Sequence, residues 1–356
     1  MFTPIESSVG AILIWQSTSI LLYNNGSVLG LSGLLRRLFD GPTLSTALFF
    51  VGMVLSFLPL RIVLPELLQY PEITWDSMTV LTTIAAGLLT GWGTKGCNGC
   101  TSGHMICGLS RFSGRSLAAV SIFFPTAVFA FHLTQPSLST SICSGTIPCY
   151  TPVYPSPYTL TALLTLAAAT ITIGHTLPPL IATLSTKPEA EKSDSSPSPR
   201  TLSYLTTSLV AGLTFGLGLH ISGMAQASKL FAFFALPSPT FWDPSLLAVI
   251  LFGMLPAIIE NKIRGFQRPP AYAPKYDIPT KTWRDIDWRF VAGAAAFGVG
   301  WGLDGTCPGP GVLRAVVQPA WGALWMAGFW AGGRLMGSHD FRRDIVWPKS
   351  LENPKP

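Results

Sequence analysis

Residues that could carry out sulfur chemistry are concentrated in two short segments of this chain. Cys97, Cys100, His104 and Cys107 follow the spacing C-x2-C-x3-H-x2-C, and Cys307 opens the run CPGPG far along the chain. Cysteine and histidine at such spacings can hold zinc, and an accessible cysteine can carry a persulfide. Buried cysteines can instead act as small apolar residues or as weak donors to a ligand. These residue types alone leave all four interpretations open.

The surroundings of the cysteines favour a path for a ligand. Both segments lie in glycine-rich kinks between long apolar stretches, and the chain has four such kinks, at 24–33, 96–108, 218–226 and 302–311. Backbone that leaves helical geometry inside a bilayer is tolerated only where protein or a water-filled cavity satisfies its polar groups. The kinks therefore predict a membrane transporter and not a soluble enzyme.

Composition supports a membrane protein independently of any motif. Only 11% of the 356 residues are charged and 48% are hydrophobic, whereas about a quarter of an average soluble domain is charged. Nine stretches approach the ~20 residues that a spanning helix needs. They run over 9–23, 44–64, 74–93, 114–133, 158–184, 202–221, 244–261, 287–303 and 319–337. We predict an all-α polytopic membrane protein with about nine transmembrane helices and four short helices after the kinks.

Basic residues predict the orientation of these spans. If nine spans alternate, all but three of the 23 Lys and Arg residues fall on the side of the carboxyl terminus. The exceptions are Arg61, Lys229 and Arg314. The positive-inside rule then places the carboxyl terminus in the cytoplasm and the amino terminus outside, in an integral protein of the plasma membrane. The net charge of +6 reflects contact with lipid headgroups, and no basic stripe with interleaved aromatics suggests nucleic-acid binding.

The same spans predict two halves of opposite orientation, because the second half starts after an odd number of crossings. Such an inverted-topology repeat usually binds its substrate near the midplane, between the repeats. We expect a first repeat (1–133), an outer loop (134–157), a linking helix (158–184), a flexible cytoplasmic linker (185–201), a second repeat (202–337) and a cytoplasmic tail (338–356). Cys143 and Cys149 lie in the outer loop, where a disulfide would fit the compartment although spacing does not establish it.

Several motifs resemble the YeeE/YedE family of sulfur-compound transporters. They are NGCTSGHMICGLSRFSGRS (98–116), GLTFGLGLHISGMAQASKLFAFF (212–234), WDPSLLAVILFG (242–253) and DIDWRFVAGAAAFGVGWGLDGTCPGPGV (285–312). The arrangement resembles two half-length members fused into one chain. The resemblance implies uptake of thiosulfate or a related sulfur anion through a narrow pathway, with Cys100 and Cys307 as its central cysteines.

The physics of such a substrate fits the kink residues. A dianion pays heavily to leave water, and helix N-termini and hydroxyl groups can compensate without the tight binding of a lysine. We expect short helices to begin within 100–105, 223–225 and 308–311, and burial to keep the cysteines as neutral thiols that contact a terminal sulfur. The predicted pathway residues are Cys97, Cys100, Thr101, Ser102, Gly103, His104, Cys107, Ser222, Gly223, Met224, Cys307, Pro308 and Gly309.

Other residues and functions are weighed against this interpretation. Asp304 would repel an anion unless it is protonated or set away from the path, and His220 is expected to be packed and hydrogen-bonded. Arg111 and Arg115 are expected to anchor the cytoplasmic side rather than attract the anion. The alternatives are a membrane sulfurtransferase with a persulfide on Cys97 or Cys100, and a zinc-binding structural or sensor protein. We expect no cofactor, no resident metal and no catalytic residue, and a soluble sulfur carrier or sulfurtransferase as a possible cytoplasmic partner.

Overall fold

The computed structural model describes residues 1–135, 147–185, 199–238 and 240–337 of the chain. Within these ranges the elements are helices and loops, and the β pairing consists of two isolated bridges. The predicted all-α fold is therefore confirmed. Cys149 is buried and disulfide-bonded. Its predicted partner Cys143, the tail 338–356 and nearly all of the linker 185–201 lie outside the described residues.

Every predicted span coincides with a helix or with a pair of helices. Two of the elements are π-helices, which we call the wide helix (Ser102–Gly108) and the second wide helix (Val249–Met254). In chain order the α-helices are α1 (Pro4–Asn25), α2 (Leu31–Asp40), α3 (Leu44–Leu55), α4 (Phe57–Val63), α5 (Ser77–Gly96), α6 (Gly114–Thr134), α7 (Pro157–Leu184), α8 (Pro199–Ile221), α9 (Ala227–Phe234), α10 (Leu255–Arg264), α11 (Trp288–Asp304), α12 (Pro308–Val317) and α13 (Pro319–Leu335). The four short helices predicted after the kinks are α2, the wide helix Ser102–Gly108, α9 and α12. The third of them starts at Ala227, later than expected.

Local sequence explains where these helices begin. Thr43, Ser113, Ser156 and Asp287 each accept a hydrogen bond from a backbone N–H in the first turn of the following helix. Such caps satisfy donors that the helix itself leaves free. Proline opens α1, α7, α12 and α13, where its missing N–H costs no hydrogen bond.

The spans divide into two groups by length and composition. In the described part of the chain, six helical segments are long and apolar enough to cross a membrane: Pro4–Asn25, Leu44–Val63, Gly114–Thr134, Pro157–Leu184, Arg200–Ile221 and Pro244–Arg264. The other predicted spans, α5, α11 and α13, each hold four glycines, and α11 and α13 are only 17 residues long. A Cβ on Gly91 of α5 would lie 1.9 Å from the carbonyl oxygen of Phe329 in α13. These helices therefore pack backbone against backbone, as small residues allow.

The most extensive helix contacts join helices from the first part of the chain to helices from the second part. Helix α5 packs most extensively on α13 and α11, and α11 also packs on α6; elsewhere α8 packs on α3 and α1, and α1 also contacts the second wide helix. If each helix is matched to its counterpart in the other predicted repeat, the contact of α5 with α13 corresponds to that of α11 with α6. In the same way, the contact of α8 with α3 corresponds to that of α1 with the second wide helix. The division into repeats itself stays a prediction.

The two ends of the helix bundle differ in charge. Arg111, Lys262 and Arg264 lie at one end, where Arg264 stacks 3.8 Å from the ring centre of Tyr23 and Lys262 lies 5.3 Å from that of Phe112. We call this the basic end. At the opposite end the Lys229 ammonium lies 3.0 Å from the fully buried carboxylate of Asp243. The loop after α4 closes this end, because Gln226 and Gln318 donate to the carbonyl oxygens of Gln69 and Pro71.

Candidate functional site

The central kinks of the two halves meet at one small cavity in the middle of the molecule. Cys100 and Cys307 both line it, and the hydroxyl of Thr101 donates a hydrogen bond to the Cys307 sulfur at 3.6 Å. The cavity holds about 10 Å³, which is room for about one water molecule. Its wall comprises Leu31, Cys100, Thr101, Ser102, Ile106, Phe215, Leu219, Met224, Cys307, Gly309 and Pro310.

Only part of the predicted pathway set lines this cavity. Cys100, Thr101, Ser102, Met224, Cys307 and Gly309 do so, whereas Cys97, Gly103, His104, Cys107, Ser222, Gly223 and Pro308 lie outside its wall. Leu31, Ile106, Phe215, Leu219 and Pro310 line it without having been predicted. All but one of these additions are plain apolar side chains, and such residues carry no chemical signal in a sequence. The cavity is thus a mostly apolar chamber whose wall also carries thiol and hydroxyl groups.

Helix starts from both halves point toward this chamber. Helix α12 begins at Pro308, immediately after Cys307, and its first turn contributes Gly309 and Pro310 to the wall. Helix α2 begins at Leu31, whose backbone N–H donates to the Ser102 hydroxyl at 3.1 Å. That hydroxyl lies 3.3 Å from the Cys100 sulfur. Free N–H groups and positive dipole ends at helix starts favour negatively charged ligands.

His104 braces the first cysteine kink from behind the chamber. Its Nε2 lies 3.1 Å from the carbonyl oxygen of Cys97, and its Nδ1 lies 3.1 Å from the hydroxyl of Ser116. A carbonyl oxygen only accepts hydrogen bonds, so Nε2 carries the proton and Nδ1 accepts from Ser116. A Cβ on Gly99 would lie 2.6 Å from the His104 ring. Glycine at this position is what lets the kink close over the imidazole.

Cys97 belongs to the same braced kink and has a different environment from Cys100. Its thiol is fully buried and donates to the carbonyl oxygen of Gly99 at 3.2 Å. The following residue, Asn98, has a φ of +59°, a left-handed conformation in which asparagine is enriched. The described residues contain no group of three or more His, Cys, Asp or Glu side chains arranged to hold a metal ion. The zinc interpretation of the C-x2-C-x3-H-x2-C spacing therefore finds no support here.

The second cysteine kink is held by different means. Helix α11 ends at Asp304, and Gly305 follows with a φ of +62°, so that the chain turns before Cys307. The Asp304 carboxylate lies 3.3 Å from the guanidinium of Arg314, which also stacks 4.0 Å from the ring centre of Trp321. Asp304 does not line the chamber. Its charge is paired, which answers the objection that a carboxylate here would repel an anion.

Arg36 is a buried cation that the sequence analysis counted only among the basic residues of the carboxyl-terminal side. It lies on α2, is 5% exposed, and donates to the Thr94 hydroxyl at 3.1 Å. Because α2 begins at the chamber residue Leu31, this buried cation lies on the helix that leads away from the chamber.

The third kink supplies one chamber residue and supports it with backbone geometry. Gly223 has a φ of +79°, and the fully buried Ser222 donates to the carbonyl oxygen of Leu219 at 3.3 Å. Together they turn the chain so that Met224 reaches the chamber. His220 nearby is packed edge-on against Phe57, as expected for a packed histidine. In the described structure neither of its ring nitrogens has a hydrogen-bond partner, so the expected hydrogen bond is wrong.

Arg115 is anchored to the protein at the end of the first cysteine kink. Its guanidinium donates to the carbonyl oxygen of Asp285 at 2.8 Å and lies 4.4 Å from the ring centre of Phe290. Asp285 caps its own turn, and hydrogen bonds from the backbone N–H and hydroxyl of Thr282 lower the pKa of its carboxyl. These contacts tie Arg115 to the segment that leads into α11, and its predicted role as an anchor on the cytoplasmic side stays a prediction.

Known proteins share part of this sequence. Residues 203–336 match a family of unknown function, DUF6691. A protein of Xylella fastidiosa strain 9a5c, named "Probable transporter", is 41% identical over 116 residues, which are 83% of that protein and 32% of this chain. A second protein of the same strain and the same name is 37% identical over 107 residues, 71% of its own length and 30% of this chain.

The chain belongs to this family of probable transporters. The transporter is an integral membrane protein, as its apolar helices and its relatives agree. Each of these relatives is less than half as long as the transporter, because the same 116 residues fill 83% of one and 32% of the other. A chain of more than twice that length can hold two family units, which is consistent with paired cysteine kinks.

Proposed function

We propose that the transporter takes up thiosulfate or a related sulfur anion through the chamber between Cys100 and Cys307. The observation that carries this proposal is that both cysteines, which are 207 residues apart in the chain, line one cavity, where the hydroxyl of Thr101, the residue after Cys100, donates to the Cys307 sulfur. The resemblance of these kinks to the YeeE/YedE family supports a sulfur compound as the cargo. The basic end would then face the cytoplasm of the cell, with the protein in the plasma membrane.

The composition of the chamber suits a sulfur anion better than a fully hydrated oxyanion. Neutral thiols are weak donors that can contact a soft terminal sulfur, while Thr101 and Ser102 offer hydroxyl groups to oxygens. Apolar residues surround these groups, so an anion that needs many strong donors, such as sulfate, would be poorly compensated for its lost water. The N-termini of α12 and α2 would supply positive potential without a fixed charge in the chamber.

The chamber is closed to the proposed substrate in this structure. A space for about one water molecule cannot hold sulfate or thiosulfate. Passage therefore requires the kinks to move apart, and the anion would cross one narrow point between Cys100 and Cys307. A soluble sulfur carrier or sulfurtransferase on the cytoplasmic side would be the natural recipient of the cargo.

Flux measurements in liposomes test this proposal directly. Purified transporter is reconstituted and challenged with thiosulfate, sulfate, sulfite and sulfide at controlled pH and membrane voltage. We expect thiosulfate uptake above that of protein-free vesicles and of sulfate, and a loss of at least about tenfold in the Cys100→Ala, Cys307→Ala double variant, which removes both chamber thiols. Cys97→Ala is the matched control, because Cys97 is equally buried but lies outside the chamber.

Two outcomes would contradict the proposal. Wild-type uptake that the double variant retains would show that the thiols take no part in the path. Absence of uptake for every sulfur anion would exclude the substrate class. Mass spectrometry after thiosulfate exposure covers the sulfurtransferase alternative, because a stable sulfane adduct on Cys97 or Cys100 would indicate covalent transfer, and a pure transporter should show none.

A further inference from the structure

A second small cavity lies next to the central chamber, toward the basic end. It also holds about 10 Å³, and its wall includes Cys107, Arg111, Glu260 and Asn261. Neighbouring residues line the two cavities: Ile106 faces the chamber and Cys107 the second cavity, and likewise Leu31 faces the chamber and Leu29 the second cavity. Two stretches of backbone thus run past both cavities, and the Cys107 thiol joins them by donating to the Leu29 carbonyl oxygen at 3.6 Å.

A carboxylate occupies the polar side of this second cavity. Glu260 of α10 accepts hydrogen bonds from the indole N–H of Trp15 at 2.9 Å, from the hydroxyl of Ser19 at 2.6 Å and from the guanidinium of Arg264 at 3.0 Å. Trp15 and Ser19 belong to α1, far away in the chain. An indole, a hydroxyl and a guanidinium that converge on one carboxylate are the donors that a free oxyanion would use.

Next to Glu260, a hydrogen-bonded chain ties the cavity to the first cysteine kink. The hydroxyl of Tyr23 donates to the Asn261 side-chain oxygen at 2.9 Å, and the Asn261 amide donates to the Ser110 carbonyl oxygen at 3.2 Å. Ser110 in turn donates to the Cys107 carbonyl oxygen at 3.0 Å. A movement of α10 would therefore be transmitted through these hydrogen bonds to the backbone at Cys107.

We infer that Glu260 is a tethered carboxylate that occupies an oxyanion-binding cluster formed by Trp15, Ser19 and Arg264, and that a permeating anion must displace it. The inference rests on the proposed function for the identity of the anion. While Glu260 is seated, its charge repels an anion that reaches Cys107. When an anion binds the donors in place of Glu260, the displaced carboxylate stays nearby and competes for them. This competition speeds release of the anion, so the cluster does not bind it too tightly for transport.

Anion binding to the purified full-length protein tests this inference. The probes are sodium thiosulfate and sodium sulfate, titrated at constant ionic strength in detergent and followed by calorimetry. We expect Glu260→Gln, which removes the competing charge and keeps the side-chain shape, to bind thiosulfate about tenfold more tightly than the wild type, equivalent to about 1.4 kcal/mol. The gain should disappear when Arg264→Gln is added, because the strongest donor is then lost.

Asp40→Asn provides the matched control. Asp40 also pairs with an arginine, Arg334, at 2.6 Å, but neither residue lines the cavity. Its removal should leave thiosulfate affinity unchanged. If Glu260→Gln does not fold, Glu260→Ala is the second variant, because it also removes the competing charge and leaves the donors of Trp15, Ser19 and Arg264 available, so it should tighten thiosulfate binding in the same direction.

The inference and the proposed function can fail separately. Unchanged affinity in the folded Glu260→Gln variant, or a gain that survives Arg264→Gln, would overturn the inference even if thiosulfate uptake is normal. Conversely, a wild-type protein that transports no sulfur anion would overturn the proposed function, while a gain in oxyanion affinity that depends on Arg264 would still support the cluster.

Discussion

The two cysteine kinks face each other across one chamber but are held in different ways. The first, 97–108, is fixed by side-chain hydrogen bonds to His104 and Ser102 and continues as a wide helix. The second, 304–311, is fixed by an ion pair between Asp304 and Arg314 and by the proline that opens α12. Wide helical turns are rare and occur frequently at functional sites, whereas a proline at a helix start restricts the backbone.

This difference indicates which side of the chamber can move. Hydrogen bonds between neutral side chains can be exchanged at small net cost, but a proline ring and a mostly buried ion pair favour one conformation. Under the proposed function, the closed chamber widens to admit an anion. We therefore expect the first kink to shift when it opens, and the second kink to act as a fixed wall.

The largest effect should come from removing the brace of the first kink. His104→Ala would leave the Cys97 carbonyl oxygen and the Ser116 hydroxyl buried without their partner, which costs about 2–3 kcal/mol. We expect a lower midpoint of thermal unfolding in detergent and a several-fold loss of thiosulfate uptake, since Cys100 would no longer be held in place. Circular dichroism and liposome flux measure the two effects.

His220 provides the matched control for this prediction. It is as buried as His104 but has no hydrogen-bond partner in the described structure, and it packs on Phe57. His220→Phe should therefore change stability by less than about 1 kcal/mol or raise it, because an unsatisfied polar group is removed. Equal losses for the two histidines would show that the hydrogen bonds of His104 do not hold the kink.

A smaller effect is expected from the ion pair that fixes the second kink. Asp304→Asn and Arg314→Gln should each destabilise the transporter, and the double variant should lose less than the sum of the two, with a coupling of about 1–2 kcal/mol. Both side chains are mostly buried, so solvent screens the pair only partly. Equilibrium unfolding of the four proteins in bicelles gives this coupling. A coupling near zero would show that the ion pair between Asp304 and Arg314 does not fix the second kink.

Much of this fold follows from the sequence alone, for identifiable reasons. Helices α3 and α6 begin where the predicted spans begin, because each apolar run follows a capping residue, Thr43 or Ser113. Helix α1 has no such cap and begins at Pro4, earlier than predicted. The spans α11 and α13 were found although they are short, because glycine-rich apolar runs between kinks have few other interpretations. The start of α9 was set too early, since Gly223 was taken for a helix start when its positive φ makes it part of the turn.

The site was predicted less completely than the fold. Cys100, Thr101 and Cys307 could be found because their types and kinks carry chemical meaning. Phe215 and Leu219 could not, since an apolar residue on a helix has no signal for the cavity that it lines. The contact of Glu260 with Trp15 joins residues 245 positions apart, so only the folded structure reveals the cluster.

The smallest effect should come from replacing Pro308, the first residue of α12 in the second kink. Pro308 restricts the unfolded chain and occupies the first position of α12, outside the chamber, so Pro308→Ala should cost only about 0.4–1 kcal/mol and leave thiosulfate uptake unchanged. Asn98→Ala in the first kink is the matched change, because alanine tolerates the positive φ of this position poorly. Asn98→Ala should lower the free energy of unfolding by about as much as Pro308→Ala. It should also reduce thiosulfate uptake, because we expect the first kink to move when the chamber opens. Flux and unfolding of the two variants in the same lipid would settle the comparison: if Pro308→Ala reduced uptake as strongly as Asn98→Ala, the assignment of one moving kink and one fixed kink would be wrong.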